Sequence, residues 1–246
     1  MPTVSIVIRA YNEEKQLRVL LESLKNQVFD GTAELVVVNN GSTDQTEKVA
    51  KEYEAKVVYL KQEEFSYPKS LNIGIEAASS PIVMCLVAHA FPDSPLWVAN
   101  GLRHFRNQDV AGVFSYTKPY HNASIWDQLL WWPPIILTSL IGATRIRTVK
   151  PGMGIFGANN IALRRSVWER HQFDEKYGAA GEDSEWAEWA VSHGYSIIRD
   201  PGFAVRHSHN LRSFGDFRAQ LRLWKRSNLA RKFDRDELEF RGFLND

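Results

Sequence analysis

Several side chains in this sequence have types and spacings that can do chemistry. Asn39 closes a β-branched run, and a carboxamide there offers one acceptor and one donor, the pair that meets the N3–H and a carbonyl of uracil or thymine. With Gly41, Ser42 and Thr43 behind it, the same residue also fits a plain strand-turn-helix junction. Tyr11 offers a flat face for a base, and Asn12 beside it can contact a ligand or cap the next helix. His207 and His209 flank one serine just past an extended stretch, where alternation points both imidazoles the same way. Glu182, Asp183 and Glu185 gather where a helix begins, and carboxylates there can move protons or simply sit at the positive end of the helix dipole.

These residues need elements to position them. Short β-branched runs at Val4–Ile8, Glu34–Val38, Lys56–Leu60 and Ile82–Val87 alternate with helical periodicity over 13–26, 43–54, 69–79 and 95–107. Strand and helix in alternation predict an α/β fold with a parallel sheet and right-handed crossovers. Ligands of such sheets lie beyond the carboxyl ends of the strands, which directs attention to 9–14, 39–44, 63–72 and 88–93. The first of these has neither the Gly-x-Gly-x-x-Gly of a dinucleotide site nor the Gly-x-x-x-x-Gly-Lys of a P-loop. Downstream, strands are expected at Val110–Tyr116, Asn160–Leu163, 196–199 and 203–206. Ser124–Leu140 reads as an aromatic-rich helix or loop, 151–157 as a glycine-rich bend, and helices are expected at 165–170, 182–193 and about 213–230.

Five segments in order carry a resemblance. Ser5-Ile-Val-Ile-Arg-Ala-Tyr-Asn-Glu-Glu14 and Val36-Val-Val-Asn-Asn-Gly-Ser-Thr-Asp-Gln-Thr46 resemble the nucleotide-binding half of a family 2 glycosyltransferase. Phe65-Ser-Tyr-Pro-Lys-Ser-Leu-Asn-Ile-Gly74 is similar to its donor-side helix, and Gly181-Glu-Asp-Ser-Glu-Trp186 to its acidic catalytic motif. Asn159–Trp168 and Val205–Asn210 are similar to segments of bacterial rhamnosyltransferase-like members. The resemblance covers roughly residues 3–210. It implies a GT-A-type nucleotide-diphospho-sugar transferase fold, with a mostly parallel central sheet flanked by helices, and transfer of a hexosyl group from a nucleotide sugar with inversion.

Carried over residue by residue, the resemblance makes Asp183 the base and puts Tyr11, Asn12, Asn39, Lys69, Asn72 and His89 on the donor. Glu182 and Trp186 fall on the acceptor side, where an aromatic face can stack on a sugar. The implied donor is a pyrimidine nucleotide sugar, with rhamnosyl as the suggested group. The implied acceptor is a hydroxyl of a glycan or a lipid-linked molecule.

The sequence departs from the family at its metal motif, Asp-x-Asp, which should follow the fourth strand. Leu86-Val-Ala-His-Ala-Phe-Pro92 stands there, without a carboxylate until Asp93. His89 occupies the place of the metal-ligating aspartate. It can ligate Mn²⁺ or Mg²⁺, donate directly to the diphosphate, or be structural, and a hard cation favours oxygen ligands. His207 and His209 are the further metal-ligand candidates. The missing carboxylates leave one alternative standing: a catalytically inactive module that binds a sugar nucleotide or glycan.

Composition bounds the rest. The chain has 246 residues, 44% hydrophobic and 24% charged, with a net charge of +1, which fits a globular protein and excludes a dedicated nucleic-acid binder. The one cysteine, Cys85, lies in an apolar run and reads as a buried, inert thiol. No signal-peptide pattern opens the chain, and a cytoplasmic protein is expected. Pro133 and Pro134 interrupt the longest apolar stretch, Leu129–Ala143, which is short for a membrane span. That stretch and the basic residues of 212–232, seven against the single acid Asp216, leave a peripheral membrane contact open, at the inner face. One domain is expected over 1–246: a nucleotide-binding half to about 110, an acceptor and catalytic half over about 111–210, and a basic helical extension over about 211–246.

Overall fold

The computed structural model describes residues 3–149, 155–177, 181–208 and 211–227, the backbone alone being described at 130–134 and 223–227. The chain runs β1 (Val4–Ala10), α1 (Glu14–Lys25), β2 (Ala33–Asn39), α2 (Thr46–Glu52), β3 (Lys56–Tyr59), α3 (Tyr67–Ala77), β4 (Ile82–Val87), β5 (Phe91–Pro92) and α4 (Trp97–Leu102). It continues through β6 (Val110–Phe114), α5 (Ile125–Ile141), β7 (Thr144–Ile146), β8 (Asn160–Arg164), α6 (Arg165–Trp168), α7 (Glu182–Ser192), β9 (Ser196–Arg199), β10 (Val205–Arg206) and α8 (Phe214–Ser227).

Eight strands form one sheet in the order β3-β2-β1-β4-β8-β6-β9-β7. The first four are parallel, as alternating strands and crossover helices require. β8 enters antiparallel to both β4 and β6, and β7 is antiparallel to β9, so the sheet is mixed in its second half. β1 is buried along its whole length, and its residues alternate between two cores. Ile6 and Ile8 pack with Leu17, Leu20, Leu21 and Leu24, the apolar stripe of α1. Val7 packs on the other face with Leu71 and Ile75 of α3 and Trp186 of α7. α3 lies so close to the sheet that a Cβ at Gly74 would meet Val7 Cγ1 at 2.4 Å.

Several boundaries differ from the sequence expectation. The helix expected over 95–107 stops at Leu102 and tightens into a 3-10 turn, Arg103–Arg106. α3 starts two residues early, because the Ser66 side chain accepts Lys69 N–H and Pro68 sits in the first turn. α5 keeps a helical backbone straight through Pro133 and Pro134. β5 and β7, of two and three residues, are too short to leave a pattern. β5 pairs antiparallel with β10 in a separate two-stranded sheet, which ties the segment after His89 to the one before His207.

Candidate functional site

The ends of β1 and β4 open onto a cleft of about 600 Å³, counted to its open mouth, a size suited to a small-molecule ligand. Tyr11, Phe65 and Tyr67 give it aromatic walls, and Arg9, Glu13 and His89 supply its charged groups. Tyr67 stands edge-on to Phe65, ring centres 5.3 Å apart, and the Arg9 guanidinium lies 5.3 Å from the Tyr67 centroid.

The loops after β1 and β2 are laced together. Asn12, at φ +52, donates its amide to Ser42 Oγ at 3.0 Å, and its Oδ1 accepts the Thr43 amide at 2.8 Å. Asn39 Oδ1 accepts the Ser42 amide at 2.9 Å, closing the turn. One lone pair of Oδ1 is therefore taken by the turn, which leaves the other lone pair and the Nδ2 donors of this buried residue to meet a base. Asn40, rather than Asn39, lines the cleft, its Oδ1 accepting Ser70 Oγ–H at 2.9 Å.

One donor-side expectation is corrected. Asn72 is buried and donates to Phe173 O at 2.8 Å, while its Oδ1 accepts Trp168 Nε1–H and Phe173 N–H, both at 3.2 Å. It clamps the segment after β8 onto α3, with three of its four hydrogen-bonding positions used there. Lys69, two residues after Tyr67 of the cleft wall, pairs with Glu64 at 3.0 Å.

On the acidic side, Gly181 adopts φ +105, a left-handed conformation that side chains rarely take, and turns the chain into α7. Asp183 Oδ2 accepts the Ala158 amide at 3.0 Å and Oδ1 the Ser184 amide at 2.6 Å. Ser184 Oγ donates to Ile155 O at 3.1 Å, fastening the helix start to the segment before β8. Glu182 is 3% exposed, and its Oε2 has no partner among the described residues. Burial and the neighbouring Asp183 push Glu182 up to about 8, with the Arg9 charge pulling against them. Burial also raises Asp183, opposed by its two backbone hydrogen bonds and by Arg9.

Arg9 thus serves two sides. It is nine-tenths buried, reaches Ala158 O with Nη2 at 3.3 Å, and has no partner for Nε or Nη1 among the described residues. Ala158 lies between Arg9 and Asp183, its carbonyl held by one and its amide given to the other. Sequence reasoning passed over Arg9, because a basic residue ending an apolar strand carries no spacing signal.

Trp186 is the second correction. It is fully buried, stacks on Phe156 at 5.1 Å and donates Nε1–H to His171 O at 2.7 Å, so it is a core residue and not a wall for an acceptor. Three residues after Asp183 it shares that residue's face of α7, and its ring fills the core between Phe156 and Phe173.

The histidines converge. His89 Nε2 lies 3.0 Å from His207 Nε2, and the His89 Nδ1–H contacts Glu13 Oε1. A carboxylate on one ring nitrogen orients the other as an acceptor or a metal ligand. About 3 Å is also the spacing of two adjacent nitrogens on an octahedral ion with bonds near 2.1 Å. The pair therefore fits a cation that completes its shell with ligand oxygens. Among the described residues no group of three or more His, Cys, Asp or Glu is arranged as a metal site, and His209 lies outside them. Glu13 is the partner the sequence did not single out. Cys85 is fully buried, and burial pushes its thiol up to about 12, in keeping with an inert role.

Comparison with known proteins matches residues 5–171 to the family model described as Glycosyl transferase family 2. The putative glycosyltransferase EpsH of Bacillus subtilis is 36% identical over 100 residues, 39% of this chain and only 27% of that protein. The O-antigen chain rhamnosyltransferase WbaN of Salmonella anatum is 24% identical over 216 residues, 85% of this chain and 67% of the relative. Among solved structures, the mannosyltransferase PcManGT from Pyrobaculum calidifontis, in complex with GDP-Man and Mn²⁺, superposes with a TM-score of 0.67 at 20% identity. That match covers 95% of this chain and 65% of the other. Glucosyl-3-phosphoglycerate synthase from Mycobacterium tuberculosis, with Mn²⁺, UDP and glucosyl-3-phosphoglycerate, gives 0.62 at 20% identity, covering 94% and 80%. At these identities the likeness shows the fold, a GT-A-like one.

Proposed function

Because this chain belongs to glycosyl transferase family 2, we propose that it moves a hexosyl group from a pyrimidine nucleotide sugar to a hydroxyl of a glycan or lipid-linked acceptor, with inversion. The observation that carries this reading is Asp183, held by Ala158 and Ser184 amides at the start of α7 and under the influence of Arg9 from the cleft floor. The single sheet that takes strands from both halves supports reading the chain as one glycosyltransferase domain. The name of one relative, an O-antigen chain rhamnosyltransferase, favours rhamnose as the transferred sugar.

The proposed chemistry is a single displacement. An acceptor hydroxyl oxygen attacks the anomeric carbon, Asp183 takes the hydroxyl proton, and the bond to the diphosphate breaks with its electron pair leaving on the diphosphate oxygen. The raised affinity of Asp183 for a proton brings it closer to the range in which a base is effective. Tyr11 stacks on the nucleoside, while Asn12 and the Asn39 Nδ2 donors shape the loop around it. Glu182, neutral at pH 7, adds no second charge beside the base. His89 and His207 would hold a divalent Mn²⁺ or Mg²⁺. When bound, such an ion neutralises the charge that develops on the leaving diphosphate.

The test is nucleoside diphosphate release from a panel of UDP-, dTDP- and GDP-sugars, with Mn²⁺, Mg²⁺ or EDTA, for wild type and Asp183→Asn. Release from a pyrimidine donor that Asp183→Asn removes supports the transferase. Binding of the donor without release, across a mixture of acceptors, makes the protein a sugar-nucleotide binding module.

A further inference from the structure

The exposed large apolar side chains are concentrated on two packed helices. α5 shows Ile125, Leu129, Ile136 and Leu140 to solvent, Leu140 with 81% of its surface free, and a 3.6-residue period puts these four in one stripe. The opposite side of the same helix is turned inward through Asp127, Ile135 and Thr138, all buried. α8 lies alongside. Trp126 packs against Phe214 and Phe217 with ring centres 5.5 and 6.1 Å away, and the Leu211 amide just before α8 donates to Asp127 Oδ2 at 3.1 Å.

α8 extends the apolar surface with exposed Phe214 and Leu221 and interleaves it with Arg218 and Arg222 on the same arc. Its acid does not offset them locally. Asp216 Oδ2 accepts the amides of Arg212 and Ser213 at 2.8 and 2.9 Å, which holds that carboxylate at the helix start. The result is a lipophilic stripe bordered by guanidinium groups, on a protein whose net charge is only +1.

That combination discriminates between occupants. A second copy meeting this face would bring another Arg218 and Arg222 to the same surface, and the one acid of α8 among the described residues is held at the helix start by the Arg212 and Ser213 amides. A bilayer bearing anionic headgroups satisfies both halves, since arginine stems run along apolar surface while their heads stay with phosphate. Among the described residues no helix is long and apolar enough to cross a membrane, so α5 would lie in the plane of the interface. We propose that the α5–α8 face docks the protein flat on an anionic lipid bilayer, with the α5 stripe in the acyl boundary and Arg218 and Arg222 at the headgroups.

Docking would also orient the cleft. Tyr120, just ahead of α5, donates its hydroxyl to the His89 carbonyl, and its amide donates to Ser208 Oγ at 2.9 Å. The helix pair therefore grows from the rim of the histidine pair. A docked protein would hold that rim near the surface, where a lipid-linked acceptor resides. The proposal does not depend on the transferase reading.

The test is flotation of the full chain with vesicles of phosphatidylcholine alone and of phosphatidylcholine with phosphatidylglycerol, at low and high salt. The wild type should float with the anionic vesicles, at least about tenfold more weakly with neutral ones, and lose binding in high salt. Ile136→Glu with Leu140→Glu, and separately Arg218→Glu with Arg222→Glu, should each cut anionic-vesicle binding about tenfold or more, with melting temperature retained because all four side chains are exposed. Absence of flotation with anionic vesicles overturns the proposal. So does binding that survives both double substitutions. A concentration-dependent dimer in sedimentation, abolished by Ile136→Glu with Leu140→Glu and accompanied by no vesicle binding, assigns the face to a second copy and likewise overturns it.

Discussion

His89 and His207 meet Nε2 to Nε2 across 3.0 Å although 118 residues separate them. The Glu13 carboxylate against His89 Nδ1 makes that nitrogen the donor of the ring and turns Nε2 toward His207. A cation seated on both Nε2 atoms requires both of them to be free of protons. Divalent-ion affinity should therefore fall as pH drops, because protonated imidazole is no ligand.

His89→Ala or His207→Ala should abolish Mn²⁺ binding measured by titration calorimetry, and Glu13→Gln should weaken it roughly 10–100-fold by releasing the orientation of His89. Unchanged Mn²⁺ affinity in all three variants would show that the histidines hold no metal.

Asp183→Asn should lower the turnover of donor and acceptor by about 10²–10⁴-fold while the dissociation constant for the nucleoside diphosphate changes by less than about threefold. The amide keeps an acceptor for one of the Ala158 and Ser184 amides and loses the other, so the melting temperature of the variant is measured alongside. Steady-state kinetics and calorimetry together check the split, and a parallel loss of binding would remove Asp183 from the role of base.

Arg9→Met should act on both the base and its support. Removing the positive charge leaves burial to raise Asp183 further, so the acidic limb of the kcat/KM profile should move up by about one pH unit, with kcat down roughly tenfold. Arg9→Lys should restore the charge without the full hydrogen bonding and recover part of the shift. A pH profile identical to wild type would reduce Arg9 to a packing residue.

Glu182 has its proton affinity raised from an ordinary 4.5 to about 8 on folding. The folded state thus holds a proton more tightly than the unfolded chain. Its contribution is intact below about pH 4.5 and is lost as pH rises toward 8. Glu182→Gln should remove that loss, making the variant more stable than wild type at pH 9 by roughly 2–4 kcal/mol relative to the difference at pH 5. Urea unfolding at the two pH values measures it, and parallel stability curves would show that Glu182 ionises freely in the native state.

Trp186→Phe should cost about 1–3 kcal/mol, through lost volume between Phe156 and Phe173 and an unpaired His171 carbonyl. The KM for acceptor should stay unchanged. A selective rise in that KM, at unaltered melting temperature, would return Trp186 to the acceptor side.

Much of the first half was legible because its signals are local. A β-branched run such as Leu35–Val38, followed by Gly41 and a helical period, defines a strand, a turn and a crossover without reference to distant residues. The second half has weaker signals. β8 reads as a strand from its own residues, but its antiparallel insertion between β4 and β6 leaves no mark in them, since both faces are buried in either direction. The sequence likewise marked His89, Glu182 and Asp183 as chemically capable, and mistook Asn72 and Trp186 for ligand contacts. A carboxamide or an indole near a strand end looks the same whether it faces solvent or the core.

By itself, then, the sequence determined the residue types at the strand ends, the parallel first half and the absence of a carboxylate before Asp93, all properties of short stretches of chain. Only the tertiary structure decided that Glu13 orients His89, that His207 completes the pair, and that Arg9 reaches Asp183 through Ala158. Each of those contacts joins residues 25 or more apart in the chain. Such distances close only when the sheet brings separate strand ends together, and no local pattern of hydrophobicity or spacing encodes which ends will meet.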